Sequence, residues 1–442
     1  MIRMSLSRAA AVTGGVVHGA NVEWCGVGID SRTLRPGMLF VALPGSRVDG
    51  HDYVAAAAQA GAAAALVSRR QAVDLPQLFV ADVERAFGRL AAAWRAGMQA
   101  IVIAITGSNG KTTVKNLLAA VLALKAPVLA TAGNLNNELG VPLTLAGLGA
   151  EHRYAVLEMG ARKPGDLTYL ASLAKPALAA VNNVGPAHLE TFGSLDGVAR
   201  GKGEIYAALP PDGIAVINAD EPYAAGWAAL AAPRRIVRFG RGATAEVRLV
   251  DDDAAVVTPA GRFRLALLLS GAHNRMNALA AAALAYALEV PVETIAAGLA
   301  TVEPAPGRLF RTATARGFTV IDDSYNANPA SLAAALAAGA GGGPLWLVLG
   351  ELAELGTHSP RLHAEMGRAA RAAGVARLFA CGPLCRHTVE AFGTGGVHFA
   401  NRETLIAALV PQLEAGIVCL VKGSRSAGME HVAQALIAAG GV

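Results

Sequence analysis

The stretch "AITGSNGKTT" at residues 104–113 decides how this chain is read. Its close, Gly110-Lys111-Thr112, is the end of a phosphate-binding loop. The usual pattern of Gly, four residues and Gly-Lys-Ser/Thr would place the first glycine where Ile105 stands. The loop can work without it. Phosphate is gripped mainly by backbone N–H groups, here those of Gly107, Ser108, Asn109 and Gly110, by a helix N-terminus, and by the Lys111 ammonium. Thr112 offers a hydroxyl to Mg²⁺, and Thr113 follows it. The flanks supply the required context. "AIVIAIT" (100–106) is an apolar run of strand length, and "TVKNLLAAVLALK" (113–125) has helical spacing. Strand, glycine loop and helix predict a nucleotide site, but say nothing of the reaction.

Working outward, "YAVLEMG" (154–160), "ALAAVNNV" (177–184) and "GIAVINAD" (213–220) are further apolar runs separated by helical patterns. That alternation predicts a parallel sheet with helices on both faces. Between Ala245 and Ser270, two strand-like runs flank "TPAG" (258–261) and predict an antiparallel hairpin added to the sheet. A second series, "FTVIDDSY", "PLWLVLG", "ARLFACG", "GVHFAN" and "GIVCLVKG", predicts another α/β unit after about residue 304, with "VEPAPGR" (302–308) as the hinge before it. The fold class is therefore α/β in three domains. They are a small mixed α/β unit over 1–97, a central P-loop sheet over 98–303, and a C-terminal Rossmann-like unit over 304–442.

Composition narrows the function classes. Hydrophobic residues make up 53% of the 442 and charged residues 16%, so a large core is available and disorder is not expected. The longest apolar run, residues 278–288, falls short of the ~20 needed to span a bilayer. "MIRMSLSRAAAVTGG" imitates a signal peptide only faintly, being broken at Gly14 and Gly15. Cys25, Cys381, Cys385 and Cys419 are too few and scattered for a disulfide framework, and "CGPLCRH" (381–387) has no second ligand cluster. A cytoplasmic enzyme is expected. The formal net charge of +5 comes without a basic run or aromatic-interleaved stripe, so nucleic acid is not an expected partner.

The reaction must be read from other residues. Glu158 and His188 stand where strands end, and "GKGEIYAAL" carries Lys202 and Glu204. Ligands of open α/β sheets bind at the strands' C-terminal ends, where a carboxylate and a neutral imidazole could hold a divalent metal near phosphates. A lone Glu or His there is more often plain polar edge, but the preceding loop shifts the balance.

These residues resemble the Mur ligases of bacterial peptidoglycan synthesis, and among them the type that adds D-alanyl-D-alanine to a UDP-N-acetylmuramoyl-tripeptide. The resemblance runs through all three domains. It rests on "DSR" (30–32), "LPGSRVDGH" (43–51), "TGSNGKTT", "GNLNNELGVPLTL" (133–145), "EMGA", "NVGPAHLETFGS" (183–194) and "GKGEIY". Farther on come "GAHNRMN" (271–277), "PGRLF", "DDSYNANP" (322–329), "GELAELG" and "VKGSRS" (421–426), of which "DDSYNANP" discriminates best among sister ligases. The resemblance implies that ATP phosphorylates the tripeptide carboxylate and that the dipeptide amine attacks the acyl phosphate. It implies that Lys111 and Thr112 serve ATP and Mg²⁺, and that Glu158, His188 and a carbamylated Lys202 are metal ligands. Asn274 and Asn277 would lie on the adenine side, and Arg308 and Asp323 would close on the nucleotide. Asp30, Ser31, Arg32, Asn136 and Asn137 would read the UDP-sugar, and Asn326, Asn328, Ser424 and Arg425 the dipeptide. The carbamate stands against a plainer reading, an unmodified Lys202 paired with Glu204 on a helix surface. Ser108 departs mildly from the family's usual Thr, Glu351 replaces a frequent Asp, and His358 and His363 are read as surface or supporting residues. A monomer is expected. A folylpolyglutamate synthetase would lack a domain like 1–97; a small-molecule kinase would stop at phosphate transfer; a nucleotide-gated binding module would ignore muramyl peptides.

Overall fold

A computed structural model of the chain describes residues 1–45 and 48–441. Ser46 and Arg47 of "LPGSRVDGH", and Val442, lie outside the described residues.

The central element is a nine-stranded sheet that includes Ile101–Thr106, the strand before the glycine loop. It lies between Leu178–Val181 and Tyr154–Glu158, both parallel to it. Seven strands run parallel in the order Val247–Val250, Arg235–Gly240, Ile214–Asn218, Leu178–Val181, Ile101–Thr106, Tyr154–Glu158 and Val128–Ala130. The hairpin expected around "TPAG" is formed by Ala255–Thr258 and Gly261–Arg264 and extends the sheet antiparallel. The strand Val128–Ala130, too short and too half-buried to stand out as an apolar run, was not foreseen.

Burial explains the continuous apolar runs. Ile103 and Ile105 pack into one core with the helices Lys111–Ala123 and Ala272–Ala287, while Val102 and Ala104 pack into the core on the opposite face. Each fully buried side chain of isoleucine size contributes ~2 kcal/mol or more of burial. Ile105 is therefore a core residue, aligned with Glu158 across the sheet, and a glycine there would forfeit that packing. The absent glycine is explained: the strand runs through Thr106 and the loop starts only at Gly107.

The C-terminal sheet has six strands. Thr319–Asp323, Val418–Lys422, Leu345–Gly350, Arg377–Cys381 and Gly396–Phe399 are parallel and match the five apolar runs. An unforeseen antiparallel edge strand, Phe310–Ala313, flanks Thr319–Asp323, and its largely exposed residues leave no apolar signal. The N-terminal unit has a five-stranded sheet and a two-stranded one, covered by the helices Leu6–Thr13 and Val83–Ala96. Among the described residues, no helix is long and apolar enough to cross a membrane.

Candidate active site

The loop that opened the sequence turns sharply where its glycines fall. Gly110 has φ +76°, and a Cβ there would lie 2.2 Å from Asn277 Oδ1, so only glycine fits. The helix Lys111–Ala123 starts at the next residue, its free N–H groups facing the cavity. Lys111 Nζ donates to Gly107 O at 2.9 Å, and burial pulls its ammonium below the ordinary lysine value, opposed by the Glu158 charge. The Ser108 hydroxyl donates to Gly185 O at 3.1 Å and accepts from Gly185 N–H at 2.9 Å, tying the loop to the segment that leads to His188.

Glu158, 2% exposed, ends the neighbouring strand. One carboxylate oxygen accepts from the Thr112 hydroxyl at 2.7 Å and the other from Asn136 Nδ2 at 2.6 Å. The carboxylate is thus hydrogen-bonded by a neutral hydroxyl and a neutral amide, with the Lys111 and Lys115 charges nearby. Carboxylate and hydroxyl together are also the hard oxygen donors that suit Mg²⁺. The residues fit that ion. From the third domain, Arg308 Nη2 donates to the same Thr112 Oγ1 at 2.9 Å, with its guanidinium 4.1 Å over the Tyr325 ring. Asp323 forms an ion pair with Lys422 and accepts from Leu309 N–H. Lys422 also donates to Asn326 O at 3.0 Å.

Lys202 lies on the helix Leu195–Ala207 and is 2% exposed. The glycine before it lets the helix sit deep: a Cβ on Gly201 would lie 2.3 Å from the Phe192 ring. Burial, with the Lys111 charge adding to it, pushes the Lys202 ammonium down to about 7. The surface pairing with Glu204 is not formed. Glu204 instead accepts from Gly165 N–H at 2.8 Å and from Thr168 N–H and Oγ1 at 3.1 Å each. His188, at φ +54°, sets its Nδ1 2.5 Å from Glu354 of the third domain, and that contact holds the Glu354 carboxyl below the usual carboxylate value. Among the described residues no group of three His, Cys, Asp or Glu side chains is placed to hold a metal, so an ion here would rely on Thr112 and on ligand oxygens beside Glu158.

A cavity of about 1120 Å³ brings most of the nominated residues together. It exceeds the ~300–1,000 Å³ of single-ligand pockets and has room for more than one substrate. Ser108 to Thr113, Asn136, Asn137, Glu158, His188 and Lys202 line it from the central domain, with Asn274 and Asn277. Arg308, Asp323, Asn326, Asn328, Ser424 and Arg425 line it from the third. Gly107, Asp30, Ser31 and Arg32 are not in its wall, although Ile29 is. Asp30 and Arg32 form an exposed ion pair at 2.6 Å that holds the Asp30 carboxyl down to about 2. Asn137 is occupied locally, accepting from Gly140 N–H at 2.9 Å. The Ser424 hydroxyl donates to Glu351 O at 2.6 Å, Glu351 accepts from Leu384 N–H, and Arg425 lies 3.1 Å from Glu430. His358 is exposed, whereas His363 is fully buried and accepts from Leu352 N–H at 3.2 Å, a bracing position. Cys381 and Cys385 are buried thiols, the first pushed up to about 11. Sequence reasoning missed Lys422, Tyr325 and Glu354, which lay inside quoted motifs but carried no signal of their own. Their roles arise only where strand ends and domains meet.

Three family models tile the chain: "Mur ligase family, catalytic domain" over 24–131, "Mur ligase middle domain" over 105–285 and "Mur ligase, glutamate ligase domain" over 307–425. The UDP-N-acetylmuramoyl-tripeptide–D-alanyl-D-alanine ligase of Escherichia coli (strain K12) is 44% identical over 99% of both chains. The chain belongs to the Mur ligase family. Its fold is that of MurF from Acinetobacter baumannii, with a TM-score of 0.91 at 34% identity over 99% of both chains. MurF ligase from Thermotoga maritima, solved in complex with ADP, matches with a TM-score of 0.82 at 27% identity, over 94% of this chain and 97% of that one. In this Mur ligase the cavity built from the glycine loop and the third-domain loops lies where the middle-domain and C-terminal models meet.

Proposed function

We propose that this Mur ligase uses ATP to join D-alanyl-D-alanine to the peptide carboxylate of UDP-N-acetylmuramoyl-tripeptide, a cytoplasmic step of peptidoglycan precursor synthesis. The observation that carries this reading is the reach of Arg308 from the third domain to Thr112 of the glycine loop, which puts the phosphate grip and the third-domain loops in one cavity. Residues 1–97 take the UDP-sugar, with Asp30, Ser31, Arg32, Asn136 and Asn137 as its readers. Residues 98–303 hold ATP, and residues 304–442 hold the dipeptide.

The backbone N–H groups from Gly110 to Thr113 and the Lys111 ammonium grip the phosphates, the Ser108 and Asn109 N–H groups being held by Asn183, while Asn274 and Asn277 frame the adenine side and Arg308 and Asp323 close from above. Mg²⁺, when bound, screens the phosphate charge so that a carboxylate can approach. Thr112 and Glu158 would hold it, joined by a carbamylated Lys202 and by His188 once that imidazole turns from Glu354. The tripeptide carboxylate then attacks the γ-phosphorus and ADP leaves, giving an acyl phosphate. The neutral amine of the dipeptide, near Asn326, Asn328, Ser424 and Arg425, attacks the carbonyl carbon. The tetrahedral adduct loses a proton and expels phosphate as the amide forms. Third-domain closure keeps water from the acyl phosphate.

Mass spectrometry of a reaction containing ATP, UDP-N-acetylmuramoyl-tripeptide and D-alanyl-D-alanine tests this. The expected products are the pentapeptide, heavier than the tripeptide by one dipeptide less water, with ADP and free phosphate. ATP turnover indifferent to the dipeptide would overturn the reading.

A further inference from the structure

Asn109 makes more hydrogen bonds than a phosphate grip asks of it. Its N–H donates to Asn183 Oδ1 at 2.8 Å, and its carbonyl accepts from Asn182 Nδ2 at 2.9 Å and Asn183 Nδ2 at 3.1 Å. Its side-chain Oδ1 accepts from Asn328 Nδ2, across the domain boundary, at 2.6 Å. The direction of each bond is fixed by its neighbours. Asn328 Oδ1 is committed to the Ser331 N–H at 2.9 Å, as the N-cap of the helix Pro329–Gly339, so its amide nitrogen must be the group that faces Asn109. On the other side, Asn182 Nδ2 also donates to Asn277 Oδ1 at 2.8 Å. Asn277 Nδ2 donates to Asn274 Oδ1 at 3.1 Å, and Asn274 Nδ2 to Ser270 O at 2.8 Å. A continuous chain of amides thus links the Asn274 side of the cavity, through Asn182 and the glycine loop, to the third domain, with Asn109 accepting from both Asn182 and Asn328.

We propose that the Asn109–Asn328 bond is an interdomain latch that couples nucleotide on the glycine loop to assembly of the dipeptide site. The proposal rests on the reading of the cavity given above. Nucleotide held by the loop backbone and by Asn274 and Asn277 fixes Asn109, whose Oδ1 then meets a donor only when the third domain is closed. Asn328 ends the segment Asp322–Asn328 and starts a helix, so engaging it sets the loop that carries Asn326, whose carbonyl is braced by Lys422. Asn328 is 8% exposed, so water does not readily replace Asn109 as its partner. Its oxygen caps the helix and its nitrogen makes the latch, which fixes the amide's orientation and makes Asn328 a positioning residue.

Asn328→Asp tests this cleanly: the carboxylate keeps the cap but loses the donor and turns an oxygen toward Asn109 Oδ1. Asn109→Ala breaks the latch from the other side and leaves the cap untouched. Calorimetry on the full chain with bound UDP-N-acetylmuramoyl-tripeptide gives the Kd for D-alanyl-D-alanine with and without a non-hydrolysable ATP analogue, and the ratio is the coupling factor. Wild type should bind the dipeptide more tightly with the analogue present. Each variant should lose about fivefold or more of that ratio, and the double variant no more than either single one. A variant that retains the wild-type ratio would overturn the latch. So would an equal loss of dipeptide affinity with and without nucleotide, the mark of a direct contact. Failure of the wild-type enzyme to bind the dipeptide at all would overturn the functional reading and the latch with it.

Discussion

Replacing Lys202 by Met should stabilise the protein and disable it. The amine is fully buried, and its pKa falls from the ordinary 10.5 to about 7 because of that burial and the nearby Lys111 charge. An ammonium whose pKa falls on folding weakens the folded state at every pH below its unfolded value. The cost is full below about pH 7 and shrinks as pH rises toward 10.5. At pH 7.5, holding this amine neutral costs about 4 kcal/mol. Met is unbranched and of similar length, so it fills the same channel beside Gly201 without that cost. In buffer free of CO₂ and metal, the thermal midpoint of Lys202→Met should exceed that of wild type at pH 7.5, and the gap should close by about pH 10. Ligase turnover should fall by at least about a hundredfold, since the proposed carbamate needs the neutral amine that burial provides. Formate should restore part of the activity of the shorter Lys202→Ala by supplying the lost carboxylate. A Lys202→Met protein less stable than wild type at pH 7.5, or a gap that ignores pH, would refute the argument.

Further outcomes follow from the same geometry. Lys111→Ala should cut turnover by about a thousandfold with an unchanged circular dichroism spectrum, because it removes a charge from the phosphates and not a core contact. Arg308→Ala should cost about a hundredfold in kcat/KM for ATP, and Arg308→Lys should recover little, since the lysine cannot both reach Thr112 and stack on Tyr325. Chelation with EDTA should abolish turnover reversibly. Glu158→Gln should raise the Mg²⁺ concentration needed for half-maximal rate by more than about tenfold, measured at saturating ATP. Gly110→Ala should lose binding of a fluorescent ATP analogue, because the new methyl collides with Asn277 Oδ1 and the residue must hold φ at +76°.

Much of this site was legible because its chemistry is local in sequence. The loop Gly107–Thr113 announces itself by glycine spacing, and the strands on either side by apolar runs that are buried on both faces. Glu158 could be placed because a parallel strand delivers its last residue to the same edge as its neighbour, here Ile105 opposite Glu158. What escaped were pairings made between elements distant in the chain. Nothing in "DDSYNANP" says that Asp323 will be claimed by Lys422, since that depends on Val418–Lys422 lying beside Thr319–Asp323 in register. Nor does "GELAELG" reveal that Glu354 meets His188 across the boundary between domains.

The two kinds of residue have different consequences for function. Lys111, Thr112 and Glu158 are placed by the central domain's own strands, loop and helix. The contacts Arg308–Thr112, His188–Glu354 and Asn109–Asn328 exist only when the central and third domains meet. A reaction that passes through an acyl phosphate has reason to divide its machinery in this way. The group that water would hydrolyse should form only when the wall that excludes water is also in place. Three polar contacts, each modest and each made at the price of ordering a loop, are weak enough to open for substrate exchange and together sufficient to bias closure. That balance requires neutral or partly exposed partners at the boundary. The asparagine pair and the partly exposed His188–Glu354 pair supply them, while the buried Asp323–Lys422 pair stays within the third domain, where it never has to break.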